Sequence, residues 1–422
     1  MRRVSHVSPI TRAAASALLA SACAVVTGLD GYRVDGEAAP STSSSSGALP
    51  DAGFAADVVV PVTDGGSLPP TCTAGQVACT GTIANTCVDG AWEATPCEQT
   101  CKDGVCDVYP SCRSATGSGC GASALSCCAS RPVPGGTFNR RNDTTLPATI
   151  GAFELDVFEV TVGRFRAFLE AGGATQASPP VPGSGAHPKL AGSGWHVEWN
   201  QRLAIDVATF KPQFKKDKST WTDAPEGNEH LPIDNVTWLE AFAFCAWDGG
   251  RLPTYAELGF AATGGSEQRF YPWSSPPDRK TLSNLPAVEA AFDCNFKAPA
   301  RSCSTTCTGC GLEDIAPVGS LPAGAGKWGQ LDLAGNVAEW TLDLSDPPSE
   351  ARPPPVCNDC AVFLTTDPEK AVIADKQFRA EFYALGGAWD GPANDLTTSR
   401  WEHHRYDDRR DTQGFRCARD AR

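Results

Sequence analysis

Two groups of side chains in this sequence are of types that do chemistry. The first is Glu402, His403, His404 and Arg405, a carboxylate, two imidazoles and a guanidinium in consecutive positions. Such groups serve as general acids, general bases or metal ligands when a pocket tunes them. Adjacent residues on a strand face opposite sides, so His403 and His404 share one metal only if a loop carries them. The chain has 6 histidines in all, and the plain reading of this pair is surface imidazole. The second group is the 19 cysteines. The spacings Cys303-x3-Cys307-x2-Cys310 and Cys357-x2-Cys360 suit zinc. Disulfides compete, and the count favours them. With Cys23 set aside, ten cysteines run from Cys72 to Cys128 and eight from Cys245 to Cys417. Even blocks are what a disulfide framework in an oxidising compartment gives. No Ser-His-Asp arrangement, phosphate loop or zinc-protease motif accompanies either group.

The elements that must position these groups follow from the run of the chain. Arg2, Arg3 and Arg12 precede a short apolar stretch, Ala13 to Ala22, too short to span a bilayer and of the kind a secretory signal uses. It ends Leu19-Ala20-Ser21-Ala22-Cys23, which resembles a bacterial lipobox; the resemblance implies lipidation at Cys23, with plain secretion as the alternative, and residues 1–23 are the expected signal. Residues 24–70, with the serine run at 41–46, lack the large apolar side chains that folding needs and are expected to form a flexible tether. Residues 71–130 form an expected cysteine-rich module, stapled because it is too small and aromatic-poor for a core. Residues 131–422 carry the patterned, globular sequence. A net charge of −14 argues against nucleic acid as a partner. The 41 glycines and 33 prolines point to a loop-rich fold.

Two helices can be read within the globular part. Thr237-x-x-Glu240 and Thr254-x-x-Glu257 are capping boxes, in which threonine and glutamate satisfy orphan amides at a helix start. Trp238, Ala241, Phe242, Cys245 and Ala246 follow the first as one buried stripe. Gly249-Gly250 and Gly264-Gly265 end the two helices. Glu240 and Glu257 are thus read as caps, not as catalytic acids.

Several blocks of this region occur in a characteristic order. They are Pro134-Gly135-Gly136-Thr137-Phe138, Phe158-Glu159-Val160-Thr161, Leu231-Pro232-Ile233-Asp234-Asn235-Val236-Thr237-Trp238 and Gly249-Gly250-Arg251-Leu252-Pro253-Thr254. They continue with Tyr271-Pro272-Trp273, Gly335-Asn336-Val337-Ala338-Glu339-Trp340, Gly386-Gly387-Ala388-Trp389 and Gly414-Phe415-Arg416-Cys417. The ordered set resembles the formylglycine-generating enzyme, or sulfatase-modifying factor, family. That resemblance implies an irregular α+β fold of C-type-lectin-like kind, and a disulfide between Cys245 and Cys417. It implies calcium bound by Asp332, Gly335, Val337 and Glu339, the glycine and valine through their carbonyls. All-oxygen ligation suits that hard cation. The family's other calcium loop maps poorly, on Asn284 and Leu285 with Cys310 at the acidic position.

Family enzymes carry two cysteines, five apart, that bind copper(I) and activate oxygen. Here their positions fall near Gly391 and Leu396, and no cysteine lies between Gly387 and Cys417. Copper-thiolate chemistry therefore has no visible ligands, and copper is not expected. The corresponding pocket offers Arg400, Trp401, Glu402, His403, His404 and Arg405. Two functions follow: a calcium-stabilised module that binds an exported protein or glycan from a lipid-anchored position on the membrane, or a diverged protein-modifying oxidoreductase with a non-cysteine active site.

Overall fold

Both capping boxes form, and they fix where the helical layer begins. In a computed structural model, Thr237 and Glu240 cap α2 (Trp238–Trp247), and Thr254 and Glu257 cap α3 (Tyr255–Thr263). An earlier helix, α1 (Val162–Glu170), starts at Thr161, whose hydroxyl accepts from the Arg164 amide. Gly264 closes α3 in the left-handed conformation, at φ 64°. The structure describes residues 58–59 and 68–421, apart from 81–82, 98–99, 103, 114–118, 216–217, 277–287, 298–309, 346–355 and 374–375. The proposed signal, Cys23, Cys303, Cys307, Asn284 and Leu285 lie outside the described residues.

The helix α2 is not the one-sided element that its stripe suggested. Trp238 through Cys245 are all buried, including Leu239, Ala243 and Phe244 off the stripe. The reason is that it is enclosed on several sides. Phe165 and Phe168 of α1 pack on Phe244, with Phe415 beside it. On another side Trp238 stacks on Phe382 at 3.8 Å between centroids. Aromatic pairs of this kind add about 0.5–1.5 kcal/mol each beyond the area they bury.

Short strands surround this layer. The sheet nearest the candidate site has four, in the order β13 (Glu402–Arg405), β12 (Glu381–Leu385), β10 (Ala338–Leu344) and β14 (Gln413–Gly414). Every residue of β10 is buried, and β13 lies at the sheet edge. A second sheet places the chain's last strand, β15 (Ala418–Asp420), antiparallel to β9 (Phe153–Asp156), which also pairs with β6 (Ser130–Val133). A third joins β7 (Gly136–Asn139), β8 (Pro147–Ile150) and β11 (Cys357–Asn358). The Cys245–Cys417 bridge links α2 to the residue just before β15.

The cysteine block before residue 130 divides in two. Its first part is a small sheet of β1 (Gln76–Thr80), β2 (Ile83–Val88) and β3 (Ala91–Pro96), followed by the hairpin β4 (Thr100–Lys102) and β5 (Val105–Asp107). Three bridges staple it: Cys72–Cys87, Cys79–Cys101 and Cys97–Cys106. Val58–Val59, inside the segment read as a tether, pairs in parallel with Gln76–Val77. The second part, from Tyr109, is built into the large domain. Its bridges are Cys112–Cys128 and Cys120–Cys127, and the latter packs with Val157, Phe158 and Val318. The anchor is polar and fully buried. Arg164 donates to Ser111 Oγ, the Cys127 carbonyl, Asp156 and Asp248, while the Ser111 amide donates to Asp248. A guanidinium buried in α1 needs those acceptors, so this segment completes the core.

Candidate functional site

The edge strand β13 carries the four sequence candidates, and its pleat separates them. Glu402 and His404 share a face, with His404 Nε2 at 3.0 Å from Glu402 Oε2. His403 lies on the other face, packed on the Trp401 ring and 3.9 Å from Glu381. Arg405 turns away to Asp407. The strand therefore brings together one acid–imidazole pair and does not gather all four. The hydrogen bond from His404 holds the Glu402 carboxyl below its usual range. Behind the pair, His404 meets the edge of Trp340 on β10.

The two positions that correspond to the family's copper cysteines have different surroundings. At Gly391 a Cβ would meet nothing closer than 3.4 Å, so a side chain would fit there. Leu396, by contrast, is buried among Tyr271, Ala290, Phe292 and Ala334. Beside Gly391, burial pushes the Asp390 carboxyl up, with Asp411 adding repulsion. Every described cysteine is in a disulfide, including Cys294–Cys310 and Cys357–Cys360. Bonding of Cys357 to Cys360 removes the zinc reading for that pair, and Cys310 sits in a bridge where the second calcium loop needs an acid. Among the described residues, Cys120, Cys127 and His230 converge closely enough for a metal, but the two sulfurs are bonded to each other.

The calcium candidates lie on the turn leading into β10. Asp332, Gly335 and Asn336 all have positive φ, which winds this turn tightly. Gly335 is required there, because a Cβ would sit 2.4 Å from the Ala291 carbonyl oxygen. Asp332 Oδ2 accepts from the Gly319 amide at 2.6 Å. Glu339, on β10, is held by Arg416 through Nε and Nη2 at 2.6 and 2.7 Å. Arg416 also donates to the carbonyls of Asp156, Val157 and Leu331, so all five of its N–H groups have acceptors. A third carboxylate, Glu159, accepts from the Val337 amide and the Asn336 side chain.

These carboxyls are short of positive charge. Burial pushes Glu159 well above the usual range, with repulsion from Asp332 and Glu339 next. Burial raises Asp332 to about 6 and also raises Glu339. Arg416 hydrogen-bonds Glu339 alone among the three, and burial favours the neutral acid at Glu159 and Asp332 unless a further cation joins them. Asp332, Glu339 and the carbonyls of Gly335 and Val337 are oxygen donors of the type calcium takes, and both oxygens of Glu339 also accept from Arg416. Sequence reading passed over Glu159 and Arg416 as site residues. The available signal was a lone acid inside the apolar run Val157-Phe158-Glu159-Val160.

Glu240 and Glu257 are caps, and each has an arginine besides. Arg409 holds Glu240, and Arg251 holds Glu257 at 2.6 and 2.7 Å. The arginine and the capping amides account for both carboxylates.

The model of the sulfatase-modifying factor enzyme 1-like domain matches residues 124–421. The chain belongs to that family. The match starts within the segment that docks on α1, and the chain has the family's α+β, C-type-lectin-like fold. Among curated proteins, the inactive C-alpha-formylglycine-generating enzyme 2 of Bos taurus is 28% identical over 237 residues, covering 50% of this chain and 68% of that protein. The formylglycine-generating enzyme of Streptomyces coelicolor is 28% identical over 290 residues, covering 64% and 78%. The counterpart of the first in Mus musculus is 36% identical over 121 residues, 28% of this chain, and the match spans only 33% of that relative. The solved structure of PvdO from Pseudomonas aeruginosa aligns at 18% identity with a TM-score of 0.42, covering 69% of this chain and 94% of that one.

Proposed function

We propose that this sulfatase-modifying factor-like chain is an exported, lipid-anchored, calcium-stabilised binding protein that takes an exported protein or glycan and lacks copper-thiolate oxidation. The observation that carries the reading is at the two cysteine positions. One holds Gly391, and the other holds Leu396 sealed in an apolar cluster. Two thiolates are what a soft copper(I) centre would need. Calcium at Asp332, Gly335, Val337 and Glu339 would neutralise buried charge and brace the turn before β10. The framework of disulfides, with the arginine-led N-terminus and Cys23, supports export and membrane attachment.

The Glu402–His404 pair favours one second reading, a diverged protein-modifying oxidoreductase. A hydrogen-bonded carboxylate and imidazole at a sheet edge can move protons. One experiment separates the two. The full chain is incubated with oxygen and a sulfatase-type peptide containing cysteine, with copper or with iron, and the peptide mass is followed. Unchanged peptide under both metals is expected. Conversion of the cysteine to formylglycine overturns the binding reading, and a second assay with His404→Ala then tests the pair.

A further inference from the structure

The turn between β7 and β8 holds two consecutive residues in the left-handed region, Arg141 at φ 58° and Asn142 at φ 55°. Asparagine visits that region readily, whereas arginine is strained there and stays only because its surroundings impose the shape. The imposition is polar. Gln268 accepts from the Asn139 amide at 2.5 Å and donates to the Asn139 carbonyl and to Asn142 Oδ1. Asn142 Nδ2 donates to Thr398 Oγ1 and to the Arg269 carbonyl. The clamp fixes the turn through Asn139 and Asn142 and leaves the Arg141 side chain to another use.

That side chain enters an aromatic frame. Its guanidinium carbon lies 4.5 Å from the ring centroid of Trp401, just before β13, and 5.7 and 5.8 Å from those of Tyr255 and Tyr383. Nε donates to the Tyr255 hydroxyl at 3.1 Å and Nη2 to the Tyr383 hydroxyl at 3.4 Å. Rings and hydroxyls hold a cation without cancelling its charge. Arg164, Arg251, Arg416 and Arg419 each meet at least one carboxylate. Among the described residues none pairs with Arg141, and Asp143, two positions on, is turned to Thr145. Arg141 is only partly buried, and its Nη1, which has no acceptor within the chain, is not a buried atom and so meets solvent.

The shape of a guanidinium decides what it can take. It is planar, with five N–H groups in fixed directions. The edge that carries Nε and Nη2 is spent on the two tyrosines, and the face lies on Trp401. The far edge remains, with both N–H groups of Nη1 and the second of Nη2. Its parallel pair of donors matches two oxygens of one oxyanion. Such a group supplies both the acceptors and the negative charge that the frame lacks. His403 packs on the same indole with its side chain 47% exposed, next to Glu381 at 3.9 Å. Asp143 and Glu381 at the periphery disfavour a second negative charge on the ligand. Arg400 is already paired with Asp395. We infer that Arg141 and its aromatic frame bind a singly charged oxyanion, a carboxylate or a sulfate ester, on the His403 face of β13. The site lies on the opposite face from Glu402 and His404 and stands under either reading of that pair.

The test is saturation-transfer NMR and calorimetry on the full chain, with probes that share one ring and differ in head group. They are benzoate, phenyl sulfate, phenyl phosphate, benzyl alcohol and benzylamine. Saturable binding of benzoate or phenyl sulfate is expected, about tenfold tighter than that of the other three. Binding of benzoate alone assigns the site to carboxylates, and binding of phenyl sulfate alone assigns it to sulfate esters. Arg141→Gly removes the fork and suits the left-handed backbone, so it should lose binding with circular dichroism unchanged. Arg141→Lys keeps the charge but not the planar fork, and should weaken binding about tenfold. No binding of benzoate or phenyl sulfate, equal or tighter binding of any other probe, or full binding by either folded variant would each overturn the inference.

Discussion

Arg416 shows how much one side chain settles in this protein. It neutralises Glu339 in a fully buried position, and its remaining N–H groups donate to three backbone carbonyls, at the end of β9, just after it and in the turn before β10. Arg416→Met would leave Glu339 buried and unpaired beside Glu159 and Asp332. The expected loss is about 3–5 kcal/mol in denaturant unfolding, and an unchanged midpoint would show that water replaces the guanidinium. A different residue sets the pH response. Asp343 accepts amides from Tyr255 and Val362, and burial raises its carboxyl to about 7. The unfolded carboxyl titrates near roughly 3.9, so the native state binds the proton more tightly. Stability from this group is full below that lower value and is lost as pH rises through about 7. The melting temperature should fall between pH 5 and 8, and Asp343→Asn should flatten that fall at some cost in overall stability. Asp234, also raised to about 7 by burial, leaves a residual slope in the same direction.

At the scale of elements, the helix ends test local readings. Thr254→Ala removes the acceptor for the Glu257 amide at the start of α3 and is expected to cost about 1 kcal/mol. A much larger loss would mean that the cap also orients Glu257 for Arg251. These ends were readable from sequence because their partners are three residues apart. The extent of burial was not. Stripe reading gave α2 one apolar face, while Phe165, Phe415 and Phe382, distant in sequence, enclose it from other sides. The site divides the same way. Alternation on a strand separates His403 from His404, as adjacency alone implies. The turn residues from Asp332 to Glu339 came only through family resemblance. Arg416 on Glu339 and Ser111 on Asp248 came through neither, because the partners are 77 and 137 positions apart and no local pattern records such pairs.

For the molecule as a whole, two outcomes can be measured. If calcium fills the turn before β10, adding it should raise the unfolding free energy by about 2.7 kcal/mol at a hundredfold excess over Kd, with a higher melting temperature that a chelator reverses. Asp332→Ala should erase that response. A truncation at residue 108, which keeps Tyr109 and Ser111, should melt close to the full domain, whereas one at residue 131 should be several kcal/mol weaker, because buried Arg164 loses Ser111 Oγ and the Cys127 carbonyl and Asp248 loses the Ser111 amide. Equal stability of the two would mean that the segment from Tyr109 only rests on the surface.

The placement of the last strand also sets an order of events in time. Residues Ala418–Asp420 pair with Phe153–Leu155, and the neighbouring Cys417 is bonded to Cys245 across 172 positions. The sheet of β9 cannot gain β15 until residues 418–420 have been made. Contacts this distant in sequence are slow to form, because a long loop must be closed before they repay its entropy. That part of the newly made chain thus stays open until residues 417–420 are available, and oxidation of that one bridge then locks a topology that local contacts cannot select.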